Sequence, residues 1–84
     1  MSKAKPIPTA REIFARNLRR ARRLKEVTQE GLALEAGVSR AYLSRVERGG
    51  INISFDSAEA LAKAIGVSLR DLVDPLQFQG LDER

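Results

Sequence analysis

Four residues, Arg40, Ala41, Ser44 and Arg45, hold the chemistry this 84-residue chain can do. A guanidinium presents its donors in a fixed fork that matches guanine N7 and O6, and small side chains beside it permit close approach to a base-pair edge. At helical spacing these four share one face, whereas Tyr42, Leu43 and Val46 share the opposite one. A helix from Arg40 to about Arg48 thus offers two arginines and two small residues to a major groove and an apolar side to a core. Arg40 and Arg45 are expected to read base edges, with Ala41 and Ser44 completing the reading surface.

Other chemistry finds little material. Without histidine or cysteine there is no ordinary general base, no thiol nucleophile, no disulfide framework and no obvious metal site. Glu30, Glu35, Glu47 and Glu59 each fit a helical pattern as solvent-facing or pairing residues, so no catalytic dyad is expected. Gly49 and Gly50 are followed by Ile51, without the lysine and hydroxyl of a phosphate-binding loop. No catalytic residue, metal or cofactor is expected.

The elements that must position the arginines read as helices throughout. Thr28 caps a helix starting at Gln29, with Leu32, Ala33 and Ala36 on its apolar face, and Gly37 stops it. Val38 then buries the corner and Ser39 caps the arginine-bearing helix. Upstream, Thr9 with Glu12 forms a capping-box signal for a helix to about Lys25, whose buried stripe is Ala10, Phe14, Leu18 and Ala21, supported by Ile13 and Leu24. Arg16, Arg19, Arg20 and Arg23 fall mostly outside that stripe. Downstream, Ile51 and Ile53 plug a loop into the core, and Ser54 caps a helix with Phe55, Ala58, Leu61, Ala62 and Ile65 on its apolar face. Gly66 ends that helix, Ser68 with Asp71 starts a fifth, and Asp74 before Pro75 stops it. The expected divisions are a flexible basic arm over 1–8, a helical domain over 9–75 and a short tail over 76–84. Leu76, Phe78 and Leu81 lie in a segment too short to bury them independently, which leaves disorder or a second chain.

In order, F-x-x-N-L-R-x-x-R from Phe14, T-Q-E-x-L-A-x-x-A-G-V-S from Thr28, Y-L-S-x-V-E-x-G from Tyr42, A-x-A-I-G-V-S from Ala62 and the pair Asp71–Leu72 make up one pattern. The chain resembles the phage-repressor and Cro-like helix-turn-helix family, also called the xenobiotic-response-element type, over roughly Phe14 to Val73. The resemblance implies an all-α, compact five-helix, lambda-repressor-like bundle that binds duplex DNA and regulates transcription. It implies that Gln29, whose place at a helix start already suits a phosphate oxygen, makes that contact. It also pairs Arg22 with Glu47 as a structural bridge between the first and third helices. Ser39 is a cap, a phosphate donor or both; Tyr42 is divided between core and backbone contact; Arg48 and Asn52 are backbone contacts or plainly solvated. Two positions depart from expectation. Glu26 stands where the family commonly has glycine, which implies either a strain of up to ~1–2 kcal/mol or another backbone shape at this turn, and Gly31 inside the second helix costs about 0.5–1 kcal/mol relative to alanine.

Nine of the fifteen basic residues lie at or before Lys25, opposed there only by Glu12, while Gly49 to Arg84 holds three basic residues against six acids. One end suits phosphates and the other solvent or protein. Lys3 and Lys5 are expected to add non-specific affinity. No apolar run approaches the ~20 residues of a membrane span and the N-terminus has no signal-peptide core, so a cytoplasmic regulator of bacterial, phage or plasmid origin is expected. Repression is the expected action, with activation the alternative where the site lies beside a promoter, by a general regulator, a restriction-modification controller or an autoregulating antitoxin. A protein-interaction module that does not bind DNA is the alternative from another class. One reading helix spans few base pairs, so a homodimer on an inverted-repeat operator is expected, its half-sites roughly 34 Å apart. Its interface is placed at Leu69, Leu72, Leu76 and Phe78, Leu69 and Leu72 having core closure as their other role. Contact with RNA polymerase is not legible in the chain.

Overall fold

The computed structural model describes residues 7–78, so Lys3, Lys5 and Leu81 lie outside the described residues. Five helices follow one another: α1 (Ala10–Leu24), α2 (Gln29–Ala36), α3 (Arg40–Glu47), α4 (Phe55–Ile65) and the single turn α5 (Leu69–Leu72). Each begins at a hydroxyl that accepts a bond from a backbone N–H two or three residues into the helix: Thr9 from Glu12, Thr28 from Gly31, Ser39 from Tyr42, Ser54 from Ser57 and Ser68 from Asp71. At α1 the Glu12 carboxylate also accepts the Thr9 N–H at 2.9 Å, closing the capping box.

The ends are set by backbone shape. Gly37 and Gly66 close α2 and α4 in the left-handed region, at φ of +75° and +82°, where a Cβ would strain. Glu26, after α1, sits there too at φ +59°, as the glycine expected at this site would.

Every helix gives one fully buried leucine to a common core: Leu18, Leu32, Leu43, Leu61 and Leu72. Each is worth about 1.5–3 kcal/mol relative to exposure. Phe14, Ala21, Ala33, Val46, Ala58, Ala62 and Ile65 fill between them, and Ile51 and Ile53 pack on the cluster from the loop before α4. Buried Asn17 replaces a hydrophobic contact with three backbone ones. Its Nδ2 donates to Asp71 O at 3.4 Å, Leu72 O at 3.1 Å and Asp74 O at 2.8 Å, satisfying carbonyls that the one-turn α5 leaves open. Lys25 closes α4 in the same manner, donating from Nζ to Ile65 O at 2.8 Å and Gly66 O at 3.3 Å.

Several expectations fail at the ends of apolar stripes. Lys25, not Leu24, continues the Phe14, Leu18, Ala21 row, so Leu24 turns outward and is 58% exposed. Ala10 is exposed at the first turn of α1. Phe55 follows the Ala58, Leu61, Ile65 spacing but begins its helix beyond the core edge, and is 85% exposed. The opposite happens after α5. Turn residues fold the chain back so that Phe78 joins the core at 7% exposure, and the boundary expected at Pro75 falls inside the packed unit. Leu72 and Phe78, expected at a dimer interface, are buried within the protomer. Leu69 is half-buried against the core, and Leu76 remains exposed.

Candidate nucleic-acid interface

Helix α3 sits with Leu43 and Val46 buried and half-buried Tyr42 packed on the same cluster. That docking leaves Arg40, Ala41 and Arg45 exposed on the far side and Ser44 half-exposed between them. The Ser44 hydroxyl is engaged, accepting a 2.7 Å bond from Arg48 Nη1. Arg48, expected on the sugar-phosphate backbone beyond the helix, is thus folded back over the α3 surface one turn from its own Cα.

Glu47 anchors α3 from behind. Its carboxylate, on a residue 2% exposed, accepts from Arg22 Nε at 2.7 Å and Arg22 Nη2 at 3.0 Å, a bidentate fork between α1 and α3. Gln29 Nε2 donates to the same carboxylate at 3.0 Å, so the start of α2 is tied to the end of α3. Arg22 Nη1 reaches Val27 O at 2.9 Å and fixes the turn between α1 and α2, while Arg19 Nη1 donates to Glu47 O. One carboxylate therefore orients three helices. Burial with satisfied hydrogen bonds is what such a charge needs, since an unpartnered one would be expelled to water.

Around this anchor opens a polar cleft lined by Arg22, Arg23, Thr28, Gln29, Glu30 and Arg40. Gln29, half-buried at the N-terminus of α2, lines it, and the exposed Arg40 belongs both to the cleft and to the outer face of α3. The cleft sets the guanidinium groups of Arg22, Arg23 and Arg40 beside the Glu30 carboxylate, with Arg22 already bonded to Glu47 and Val27. Ser39 Oγ accepts the Tyr42 N–H at 3.0 Å as the α3 cap, and the residue is exposed. Asn52, on the other flank, accepts at Oδ1 from Arg11 Nη1 at 2.8 Å.

The structure brings Gln29, Arg22 and Glu47 into one cluster and sets Arg40, Ala41, Ser44, Arg45 and Arg48 on one surface. Asn52 lies apart from both, beside Arg11. Sequence reasoning passed over Arg11 and Asn17, of which only Asn17 carried a signal, as a polar residue inside an apolar stripe; Arg19, placed outside the buried stripe, is half-buried and serves Glu47 O. The basic α1 surface is also less of a bare phosphate face than its composition suggests. Besides Arg19, Arg20 Nη1 donates to Phe78 O at 3.4 Å, and Lys25 is committed to α4. Burial, with the charges of Arg16 and Arg19, pulls Arg20 below the ordinary arginine value.

Among the described residues, no cluster of three His, Cys, Asp or Glu side chains is placed to hold a metal, and no helix is long and apolar enough to cross a membrane.

Comparison with known proteins adds three kinds of likeness. A family model described as helix-turn-helix matches residues 18–72. The control protein C.BamHI of Bacillus amyloliquefaciens is 42% identical over 65 residues, covering 76% of this chain and 80% of its own. Among solved structures, the clp gene regulator ClgR from C. glutamicum superposes with a TM-score of 0.79 at 34% identity, covering 92% of this chain and 96% of its own. The tetramer of the restriction-modification controller protein C.Esp1396I, solved in complex with its natural 35 base-pair operator, gives a TM-score of 0.70 at 26% identity over 80% of this chain and 97% of its own.

Proposed function

The chain belongs to the Cro/C1-type helix-turn-helix family of DNA-binding transcription regulators, and from that premise we propose that it represses or autoregulates transcription as a homodimer, with α3 in the major groove of an inverted-repeat operator. The observation that carries the reading is the division of α3: Leu43 and Val46 are buried while Arg40, Ala41 and Arg45 face solvent, on a helix fixed by the Arg22–Glu47–Gln29 cluster. Arg40 and Arg45 read base edges, with Ala41 and Ser44 beside them. Gln29, Ser39 and Tyr42 hold the backbone and set the register, and Arg48 and Asn52 join them only by exchanging their bonds to Ser44 and Arg11 for a phosphate. No catalytic step enters this function, and its place is the cytoplasm.

Within the class, the restriction-modification controller is favoured over the antitoxin by the 42% identity to the control protein C.BamHI. Selection of bound fragments from random duplex DNA tests the reading. An enriched inverted repeat with half-site centres about one helical turn apart, ~34 Å, supports it. Absence of any motif together with absence of salt-sensitive duplex binding would instead make the chain an interaction module.

A further inference from the structure

Arg48 lies over the outer face of α3 rather than beyond its end. Its Nη1 donates to Ser44 Oγ at 2.7 Å, so the guanidinium of an exposed residue is held on a half-buried hydroxyl between Arg40, Ala41 and Arg45. The helix end does not require this. The carbonyls of Ser44, Arg45 and Val46 are closed by the backbone N–H groups of Arg48, Gly50 and Gly49, which leaves the Arg48 side chain no capping duty. A cation folded back here is favoured by the negative end of the α3 dipole and by the charge-assisted bond it makes. The consequence falls on Ser44.

A serine hydroxyl has one proton to donate and two lone pairs with which to accept, and alone it meets donors and acceptors on a base edge alike. With a guanidinium on its oxygen it does not. One lone pair is taken, the O–H is polarised toward donation, and an amino group approaching that oxygen meets a positive charge. We propose that Arg48 is a positioning residue for base recognition, which keeps its bond to Ser44 on the operator and so makes Ser44 a hydrogen-bond donor. The base facing Ser44 is then one whose edge accepts, guanine through N7 and O6 or thymine through O4, in place of the amino-bearing edges of adenine and cytosine. Arg48 thereby specifies a base pair that it does not touch. The inference rests on the major-groove reading given above and assigns the chemistry of its partner at one position.

The test measures affinity for the selected operator, and for duplexes carrying each other base at every position in both halves, with the parent protein, Ser44→Ala, Arg48→Ala and Arg48→Lys. Arg48 is exposed and its backbone bonds persist in the variants, so circular dichroism should show unchanged helix content. Ser44→Ala marks the base pair that Ser44 meets, as the one where preference is lost. The parent should favour guanine or thymine there by about tenfold, and Arg48→Ala should cut that ratio to about threefold or less by admitting adenine and cytosine, with preferences elsewhere kept. Arg48→Lys, which retains a cation with N–H donors, should restore the preference. A role confined to the fold of α3 would not discriminate by base. Equal weakening of Arg48→Ala on all duplexes makes Arg48 a phosphate contact and overturns the proposal, as does a changed preference at a base pair other than that of Ser44, or a parent that favours adenine or cytosine there. Ser44→Ala with every preference intact overturns it too, while the major-groove reading stands if Arg40→Ala still relaxes one position. A parent that selects no motif overturns that reading, and this inference with it.

Discussion

Removing Arg22 should unfold much of what makes α3 usable. In Arg22→Ala the Glu47 carboxylate, 2% exposed, loses both arms of its fork and keeps only Gln29 Nε2 at 3.0 Å. Breaking a buried pair from one side costs about 3–5 kcal/mol, because the remaining charge is buried without its counter-charge. A domain of about seventy residues is stable by roughly 4–11 kcal/mol in all, so the variant forfeits a large share of its stability. At about 4–8 °C per kcal/mol for a domain of this size, the melting temperature should drop by at least about 12 °C. Thermal unfolding followed by circular dichroism reads this directly. The double variant Arg22→Met with Glu47→Leu separates stability from function: replacing both charges by apolar groups is often neutral or stabilising, yet it removes the acceptor that orients Gln29. It should melt near the parent temperature and bind duplex DNA more weakly. A drop under about 4 °C for Arg22→Ala, on the same scale, would refute the buried bridge.

Arg40→Ala should lose about 1–3 kcal/mol on the selected operator and relax preference at one or two base pairs, read by repeating the selection; an equal loss on all sequences would reassign Arg40 to the backbone. Ser44→Ala and Arg48→Ala, joined by the 2.7 Å bond, should show coupling of at least about 0.5 kcal/mol in a double-mutant cycle of operator affinity, and strict additivity would mean that they act separately. Asn17→Ala strands the carbonyls of Asp71, Leu72 and Asp74 and should cost about 1–3 kcal/mol in denaturant unfolding, with amide exchange rising first around α5; unaltered exchange there would refute the capping role. Glu26→Gly removes a left-handed strain of about 1–2 kcal/mol against roughly 0.5–1 kcal/mol of added backbone freedom, so the melting temperature should rise by a few degrees, and a fall would show that the Glu26 turn is unstrained.

Sequence alone determined the helices and their order, since the signals that specify them act within one turn. A hydroxyl meets the N–H three residues on, a glycine takes the left-handed corner, and apolar residues recur at three and four, so Thr9, Thr28, Ser39, Ser54 and Ser68 are legible as helix starts without a fold. The two faces of α3 were legible for the same reason: Arg40 and Leu43 differ by spacing alone. Tertiary structure decided what lies at the end of each stripe. Phe55 and Phe78 are the same residue type, yet one lies open at the edge of α4 and the other is buried, because only Phe78 is carried by the chain onto α1. Asn17 meets α5 across 54 to 57 residues and Lys25 meets the end of α4 across 40, whereas Arg22 meeting Glu47 across 25 was implied by the family resemblance and by no local pattern. No periodicity spans such intervals. Whether a basic side chain serves a phosphate or a carbonyl depends on which element packing brings beside it, and that is a property of the bundle rather than of any helix in it.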